Sequence, residues 1–143
     1  MRSTLTLVAC TVTTLAAAAA AAAAGPIDGH WNGHATRAQL LHHRVPAPVV
    51  DKLCGDSTDP CPPAAVTFAG GRFRFRSGTG QAAVGSFSLV GNVARFVFDS
   101  GVGVKPGQVA ECRWSVYRDL LTFSILPGRQ CLGWDSATWV RTP

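Results

Sequence analysis

Apolar and polar residues alternate along most of the chain after Ala64, and turn-forming residues interrupt the alternation about every eight to twelve positions. A period of two is typical of strands with one buried face, so this region is predicted to be a series of β-hairpins. Arg72–Arg76 is the clearest case, because a strand places Phe73 and Phe75 on one face and three arginines on the other. The predicted strands are Val66–Phe68, Arg72–Arg76, Ala82–Val90, Val93–Phe98, Val109–Tyr117, Leu120–Leu126 and Ala137–Arg141.

The residues before Ala64 predict one more strand and two short helices. Asp28–Thr36 fits a strand, and the hydroxyl of Thr36 is suited to cap a helix over Arg37–His43. Pro48–Leu53 fits a second helix, with proline in its first turn and glycine after its end. The segment Asp56–Pro63 is rich in proline and polar residues and is predicted to be a loop.

Counting the first strand, the pattern gives about eight short antiparallel strands, which either close into a barrel or pack as a sandwich. Glycines at positions 33 and 85, inside predicted strands, favour the barrel, because a small barrel bends sharply at such residues. The helical insert after the first strand favours it too. The predicted fold is therefore mainly β, an eight-stranded antiparallel barrel with two short helices inserted after its first strand.

The N-terminal segment predicts export. One arginine is followed by apolar and hydroxylated residues and then by an alanine tract that reaches Ala24, the order of a secretory signal peptide. Residues 1–24 are therefore predicted to be a signal peptide and residues 25–143 the folded domain. A membrane anchor is the weaker alternative, since an alanine- and threonine-rich run is only weakly hydrophobic. A second alternative is lipid anchoring at Cys10, because Leu7–Cys10 is similar to a bacterial lipobox.

The cysteine count agrees with an oxidising compartment. Removal of residues 1–24 leaves Cys54, Cys61, Cys112 and Cys131, and an even number in an exported domain indicates two disulfides. Three connectivities are open. Cys54–Cys61 and Cys112–Cys131 are favoured because each pair closes a short local loop. Neither spacing is the one that structural zinc sites use.

Four segments of the chain have the patterns of a known family. They are Gly29–Trp31, which is similar to the lipocalin G-x-W signature, the hairpin Gly85–Asn92 with Phe96 after it, Arg113–Phe123 and Ala137–Arg141. Together they are similar to a lipocalin-like domain of exported actinobacterial proteins, which also occurs attached to the solute-binding proteins of transporters. The resemblance implies a calycin-type barrel in which Trp31 packs across the closed end and Arg141 lies over its ring. That role is structural.

The motifs of common enzymes and metal sites are missing from the sequence. A G-x-S-x-G turn does not occur, and pairing of the cysteines leaves no reactive thiolate. The protein is therefore expected to be non-catalytic and to need no cofactor. The sequence contains four histidines near its N-terminal part, His30, His34, His42 and His43. They could bind a metal ion together, or they could be solvated or hydrogen-bonded within the protein. We favour the second interpretation.

The arginine-rich strand does not predict nucleic-acid binding. Aromatic and basic residues alternate in Arg72–Arg76, but alternation places the rings and the charges on opposite faces, whereas base stacking and phosphate contact need one shared face. The formal net charge of +5 is modest. The arginines are expected on a solvated outer face.

The function that the sequence favours is binding of a small apolar molecule by a secreted or cell-envelope protein. Aromatic and aliphatic residues of the inner faces are predicted to line the ligand pocket: Phe73, Phe75, Phe87, Trp114, Val116 and Phe123. The alternative is that these side chains interlock and fill the barrel. The protein is then an extracellular interaction module whose partner is a transporter or another exported protein.

Overall fold

A computed structural model describes residues 25–56 and 59–143. The predicted signal peptide and the candidate lipidation site Cys10 lie outside the described residues. Within these residues, eight strands and two α-helices follow one another, with a 3₁₀ helix at Trp134–Ser136 before the last strand. Their bounds are β1 Gly29–His34, α1 Arg37–His42, α2 Ala47–Cys54, β2 Ala64–Ala69, β3 Arg72–Arg76, β4 Ala82–Val90, β5 Val93–Gly101, β6 Val109–Tyr117, β7 Leu120–Ile125 and β8 Thr138–Thr142.

The strands form one closed antiparallel barrel in which each pairs with its neighbours in sequence and β1 pairs with β8. This confirms the predicted fold class, including the two short helices inserted between β1 and β2. The helices have six and eight residues, and within residues 25–56 and 59–143 no helix is long and apolar enough to span a bilayer. The 3₁₀ helix at Trp134–Ser136 was not predicted from the sequence.

The two ends of the barrel differ. At one end, which we call the mouth, β1 ends and β8 begins, with His34 opposite Thr138. The helical insert, residues 35–56 and 59–63, lies at the mouth together with the turn at 77–81 and the loops 102–108 and 126–137. The opposite end, where His30 faces Thr142, is called the closed end.

The inner face of the barrel carries its main core, which includes Val66, Phe68, Phe73, Phe96 and Leu121. One inward position of β4, Gly85, has no room for a side chain. A Cβ there would lie 2.1 Å from the carbonyl oxygen of Val97 and 2.7 Å from the ring of Phe73. Glycine therefore lets β4 pass close to β5 at the irregular register between Val84 and Gly85.

Trp31 and Arg141 meet at the closed end. Trp31 is fully buried and its Nε1 donates a hydrogen bond to the carbonyl oxygen of Ile27 at 2.8 Å. The guanidinium of Arg141 lies 4.2 Å from the centre of the Trp31 ring, and its Nη1 donates to the carbonyl oxygen of Asp28. This is the contact that the lipocalin resemblance implies, and such cation–π pairs contribute about 0.5–2 kcal/mol. It holds the segment before β1 against the barrel.

Both disulfides that the sequence favours are present. Cys54–Cys61 lies within the helical insert, and Cys112–Cys131 joins β6 to the loop after β7. Disulfides persist in oxidising compartments, which is consistent with an extracytoplasmic environment.

The helical insert has a small core of its own, formed by Leu40, Val50 and the disulfide. Thr36 and Gln39 form a capping box at the start of α1, in which each side chain accepts a hydrogen bond from the other residue's backbone N–H. Arg37 adds a hydrogen bond to the carbonyl oxygen of Gly55. The insert is therefore organised by its own contacts as well as by the barrel below it.

Loss of the cap is expected to loosen the insert. Thr36→Ala removes the hydroxyl that accepts from the Gln39 N–H, and it should lower the free energy of unfolding by about 1 kcal/mol. Thr36→Ser keeps the hydroxyl and should change stability much less. Urea unfolding followed by circular dichroism measures both variants. Equal losses in the two would show that the hydroxyl does not support α1.

Candidate functional site

A cavity of about 120 Å³ lies at the mouth, between the helical insert and the upper barrel. We call it the mouth cavity. It is only half enclosed, so it communicates with solvent. Its walls are mainly apolar. The lining residues are Gly33, Ala35, Leu40, Val45, Val49, Leu53, Cys61, Pro62, Ala64, Phe75, Ser77, Ala83, Phe98, Val102, Val104, Leu132, Gly133, Trp134, Ser136, Ala137 and Trp139.

Three parts of the chain build most of the mouth cavity, and the turn after β3 and the loop after β5 complete it. The insert contributes aliphatic side chains, among them Leu40 and Val49, because both helices turn apolar residues toward the barrel. The barrel contributes inward residues of β3, β5 and β8, including Phe75 and Phe98. The loop after β7 contributes the third wall, around Trp134.

The insert is held over the mouth at several points. Val49 packs against Gly103, where a Cβ would come within 2.6 Å of the valine methyl group. Thr79, in the turn after β3, donates a hydrogen bond to the carbonyl oxygen of Lys52. His43, at the end of α1, pairs with Asp135 at 2.7 Å, and the Asp135 side chain is only 3% exposed. The insert therefore covers the cavity through contacts with three different mouth segments.

Trp134 fills the upper interior of the barrel. The residue is 6% exposed and stacks on Phe96, with 4.7 Å between ring centres. Five further rings lie 5.6–6.2 Å from the same indole: Phe68, Phe73, Phe75, Phe123 and Trp139. The space below the mouth cavity is therefore occupied by packed aromatic side chains.

The six residues predicted to line a ligand pocket do not converge on one cavity. Of these, only Phe75 lines the mouth cavity. Phe73 and Phe123 are buried and pack against Trp134, and Phe87 packs against Phe68 at 5.1 Å.

The last two of the six predicted residues lie nearer the closed end of the barrel. Trp114 and Val116 are half-buried on β6, and Trp114 Nε1 donates to the carbonyl oxygen of Gly91. The mouth cavity therefore lies beside Phe75 and away from the other five predicted residues. The physical reason is Trp134, which takes the space that those side chains were expected to enclose.

Sequence reasoning missed Trp134 and the cavity-lining residues of the insert. The one available signal was a tryptophan, directly after Gly133, in a segment with no strand or helix period. Gly133 adopts φ = +86°, which starts the 3₁₀ helix and turns the following indole into the barrel.

The mouth cavity is electrically neutral. None of the described residues that line it carries a charge, and its polar hydroxyl groups belong to Ser77 and Ser136. Ser77 is 5% exposed and Ser136 6% exposed. Burying an ion in such surroundings carries a large desolvation cost, so the cavity is suited to neutral molecules.

The four histidines do not converge on one point. Nδ1 of His30 forms a hydrogen bond with Thr67 Oγ1 at 2.8 Å, while His43 pairs with Asp135. His42 contacts the ring of His43 edge-on, and His34 is exposed at the end of β1. In the part of the chain that the structure describes, no three His, Cys, Asp or Glu side chains gather where they could hold a metal ion.

The arginines of β3 lie on the outside of the barrel. Arg72, Arg74 and Arg76 are exposed, whereas Phe73 is buried and Phe75 half-buried on the opposite face. Rings and charges are thus separated as the alternation predicts, which is not the arrangement that stacks bases and contacts phosphates.

Comparison with protein-family models, with curated proteins and with solved structures finds no match to this chain. The geometry of the mouth cavity therefore carries the functional argument.

Proposed function

We propose that the protein is a secreted, non-catalytic binding protein that holds one small, neutral, apolar molecule in the mouth cavity of a lipocalin-like barrel. The observation that carries the proposal is the cavity itself, which is apolar, has no charged lining residue among those described, and is covered by the helical insert. Small-molecule sites are typically concave and apolar, with a few polar groups that orient the ligand.

The size of the mouth cavity limits its occupant. Apolar cavities of about 150 Å³ take up benzene or xenon, and typical drug-sized ligands need about 300–1,000 Å³. A cavity of about 120 Å³ that opens toward solvent suits a molecule comparable with a monosubstituted benzene. A long fatty acid or a steroid would require Trp134 or the insert to move.

Two sequence features support the location of this function outside the cytoplasm. Residues 1–24 have the order of a secretory signal peptide, and both disulfides are of the kind that an oxidising compartment maintains. The lipocalin resemblance of Gly29–Trp31 and of the Arg113–Phe123 hairpin supports a carrier role.

A second candidate function is an extracellular interaction module. It is favoured by an apolar group on the outer face, where Tyr117 is cross-strand partner of Leu120 and Leu120 of Val140. These three side chains are 69%, 42% and 37% exposed. The filled barrel interior around Trp134 is compatible with this alternative, and the titration described next distinguishes the two.

Calorimetric titration of the oxidised full chain with toluene tests the carrier function. A Kd on the order of 0.1–1 mM is expected, equivalent to about 4–5.5 kcal/mol and well below the ceiling of about 1.5 kcal/mol per heavy atom. Val104→Trp places a large ring in the cavity wall and should weaken binding at least about tenfold, the equivalent of ~1.4 kcal/mol.

Val90→Trp is the matched control, because Val90 is 77% exposed at the closed end. Its toluene affinity should equal that of the unmodified protein. Absence of binding of both toluene and phenol by the folded, oxidised protein would reject the carrier function and leave the interaction module as the better proposal.

A further inference from the structure

The hydrogen of the Ser77 hydroxyl is already used inside the protein. Thr79 Oγ1 lies within hydrogen-bond distance of the carbonyl oxygens of Lys52 and Leu53, which only accept, so its hydrogen points to them. The 2.9 Å contact between the hydroxyls of Ser77 and Thr79 must then have Ser77 as the donor. Ser77 Oγ also accepts from the N–H of Gln81, which leaves it one free lone pair.

The hydrogen of the Ser136 hydroxyl is also used inside the protein. Its hydrogen is donated to the carbonyl oxygen of Gly133, one turn earlier in the 3₁₀ helix. A hydroxyl oxygen has two lone pairs, and none of the hydrogen bonds of the described residues uses either of those on Ser136 Oγ. Ser136 therefore contributes acceptor capacity to a cavity wall from which its own proton is turned away.

The indole N–H groups of the cavity wall do not provide a hydrogen-bond donor to the cavity. Trp139 Nε1 donates to the carbonyl oxygen of Trp134 at 3.3 Å. Trp134 Nε1 exposes less than 1 Å² and has no partner among the described residues. Because the mouth cavity is wide enough for water, an N–H that faced it would keep exposed surface, so this N–H is not available to a molecule in the cavity.

We infer that the mouth cavity selects molecules that carry a hydrogen-bond donor on an apolar body, such as a phenol or a small alcohol, and that Ser136 Oγ accepts that hydrogen bond. The inference rests on the proposed carrier function and specifies its ligand class. A donor on the ligand pairs with one lone pair of Ser136 Oγ. An acceptor-only molecule leaves them unpaired and loses its own hydration without replacement.

Three ligands with seven heavy atoms each separate the possibilities: phenol, toluene and fluorobenzene. Their Kd values are measured by calorimetry with the oxidised full chain and with Ser136→Ala. The variant should lower the affinity for phenol about five- to tenfold, the usual effect of one hydrogen bond, and leave the affinities for toluene and fluorobenzene unchanged. Retained toluene binding also shows that the variant is folded.

Ser115→Ala is the matched control. Ser115 is exposed on the outer face of β6, where its hydroxyl contacts Thr122, so the ratio of phenol to toluene affinity should stay at its original value. A structure of the phenol complex gives a second measurement that does not depend on a variant. The phenol oxygen is expected at hydrogen-bond distance from Ser136 Oγ, about 2.7–2.8 Å.

The outcomes are distinguishable. If toluene binds and the ratio of phenol affinity to toluene affinity is the same in the unmodified protein and in Ser136→Ala, the role of Ser136 as the acceptor is overturned while the carrier function stands. If fluorobenzene binds more tightly than phenol and loses affinity in Ser136→Ala, the ligand class is also wrong. If neither toluene nor phenol binds, both proposals fail together.

Discussion

Trp134→Ala is expected to lower the free energy of unfolding by about 3–5 kcal/mol, the usual cost of removing a buried tryptophan. Its indole lies within 6.2 Å of six other rings, so truncation leaves a void in the centre of the upper barrel. The unpartnered Nε1 offsets a small part of this loss, because burying an unsatisfied donor is unfavourable. Urea unfolding measures the change.

Trp114→Ala is the control for the loss of a tryptophan. Trp114 is half-buried near the closed end, and its removal should cost clearly less. Trp134→Ala should also extend the mouth cavity into the barrel, so that naphthalene binds to the variant and not to the unmodified protein. A stability loss below about 1 kcal/mol, typical of surface positions, would contradict the role of Trp134 as the residue that fills the barrel.

Replacement of Cys112 and Cys131 by alanine is the second substitution with a large expected effect. The disulfide closes a 19-residue separation, and on the chain-entropy model such a cross-link stabilises by about 3 kcal/mol. Cys112 is fully buried on β6, and Cys131 begins the segment that carries Trp134. The double variant should therefore lose stability and also loosen the wall of the mouth cavity.

The Cys54→Ala, Cys61→Ala double variant provides the comparison. Its loop spans seven residues, and the same model gives about 2.4 kcal/mol. Loss of this disulfide should destabilise mainly the helical insert. Amide hydrogen exchange measures this effect, because it should become faster in the insert than in the barrel. Equal exchange in the insert and in β6 for both double variants would contradict the assignment of one disulfide to each region.

Much of the fold could be predicted because its determinants are local. Strand positions such as Arg72–Arg76 follow from a period of two, and the capping role of Thr36 follows from its place before an apolar helix. Both disulfides close short loops, so sequence separation alone favoured them. Even the start and end of β6, Val109–Tyr117, agree with the prediction, because turn residues flank that strand on both sides.

The candidate site could not be predicted in the same way, because its determinants are long-range. Alternation assigns Phe73 and Phe123 to the inner face, but it does not show which side chain fills the space between them. That side chain is Trp134, from a segment without periodicity. The contact of Val49 with Gly103 likewise joins the insert to a loop some fifty residues away, and no local pattern encodes it.

The central claim is that the space for a ligand lies at the mouth of the barrel and that the interior below it is filled. Xenon occupies apolar cavities, and a crystal of the oxidised protein under xenon pressure shows where they are. A xenon site bordered by Leu40, Val49 and Phe98 is the predicted result. Xenon among Phe73, Phe96 and Phe123 in the barrel interior, or none in the mouth cavity, would contradict the account.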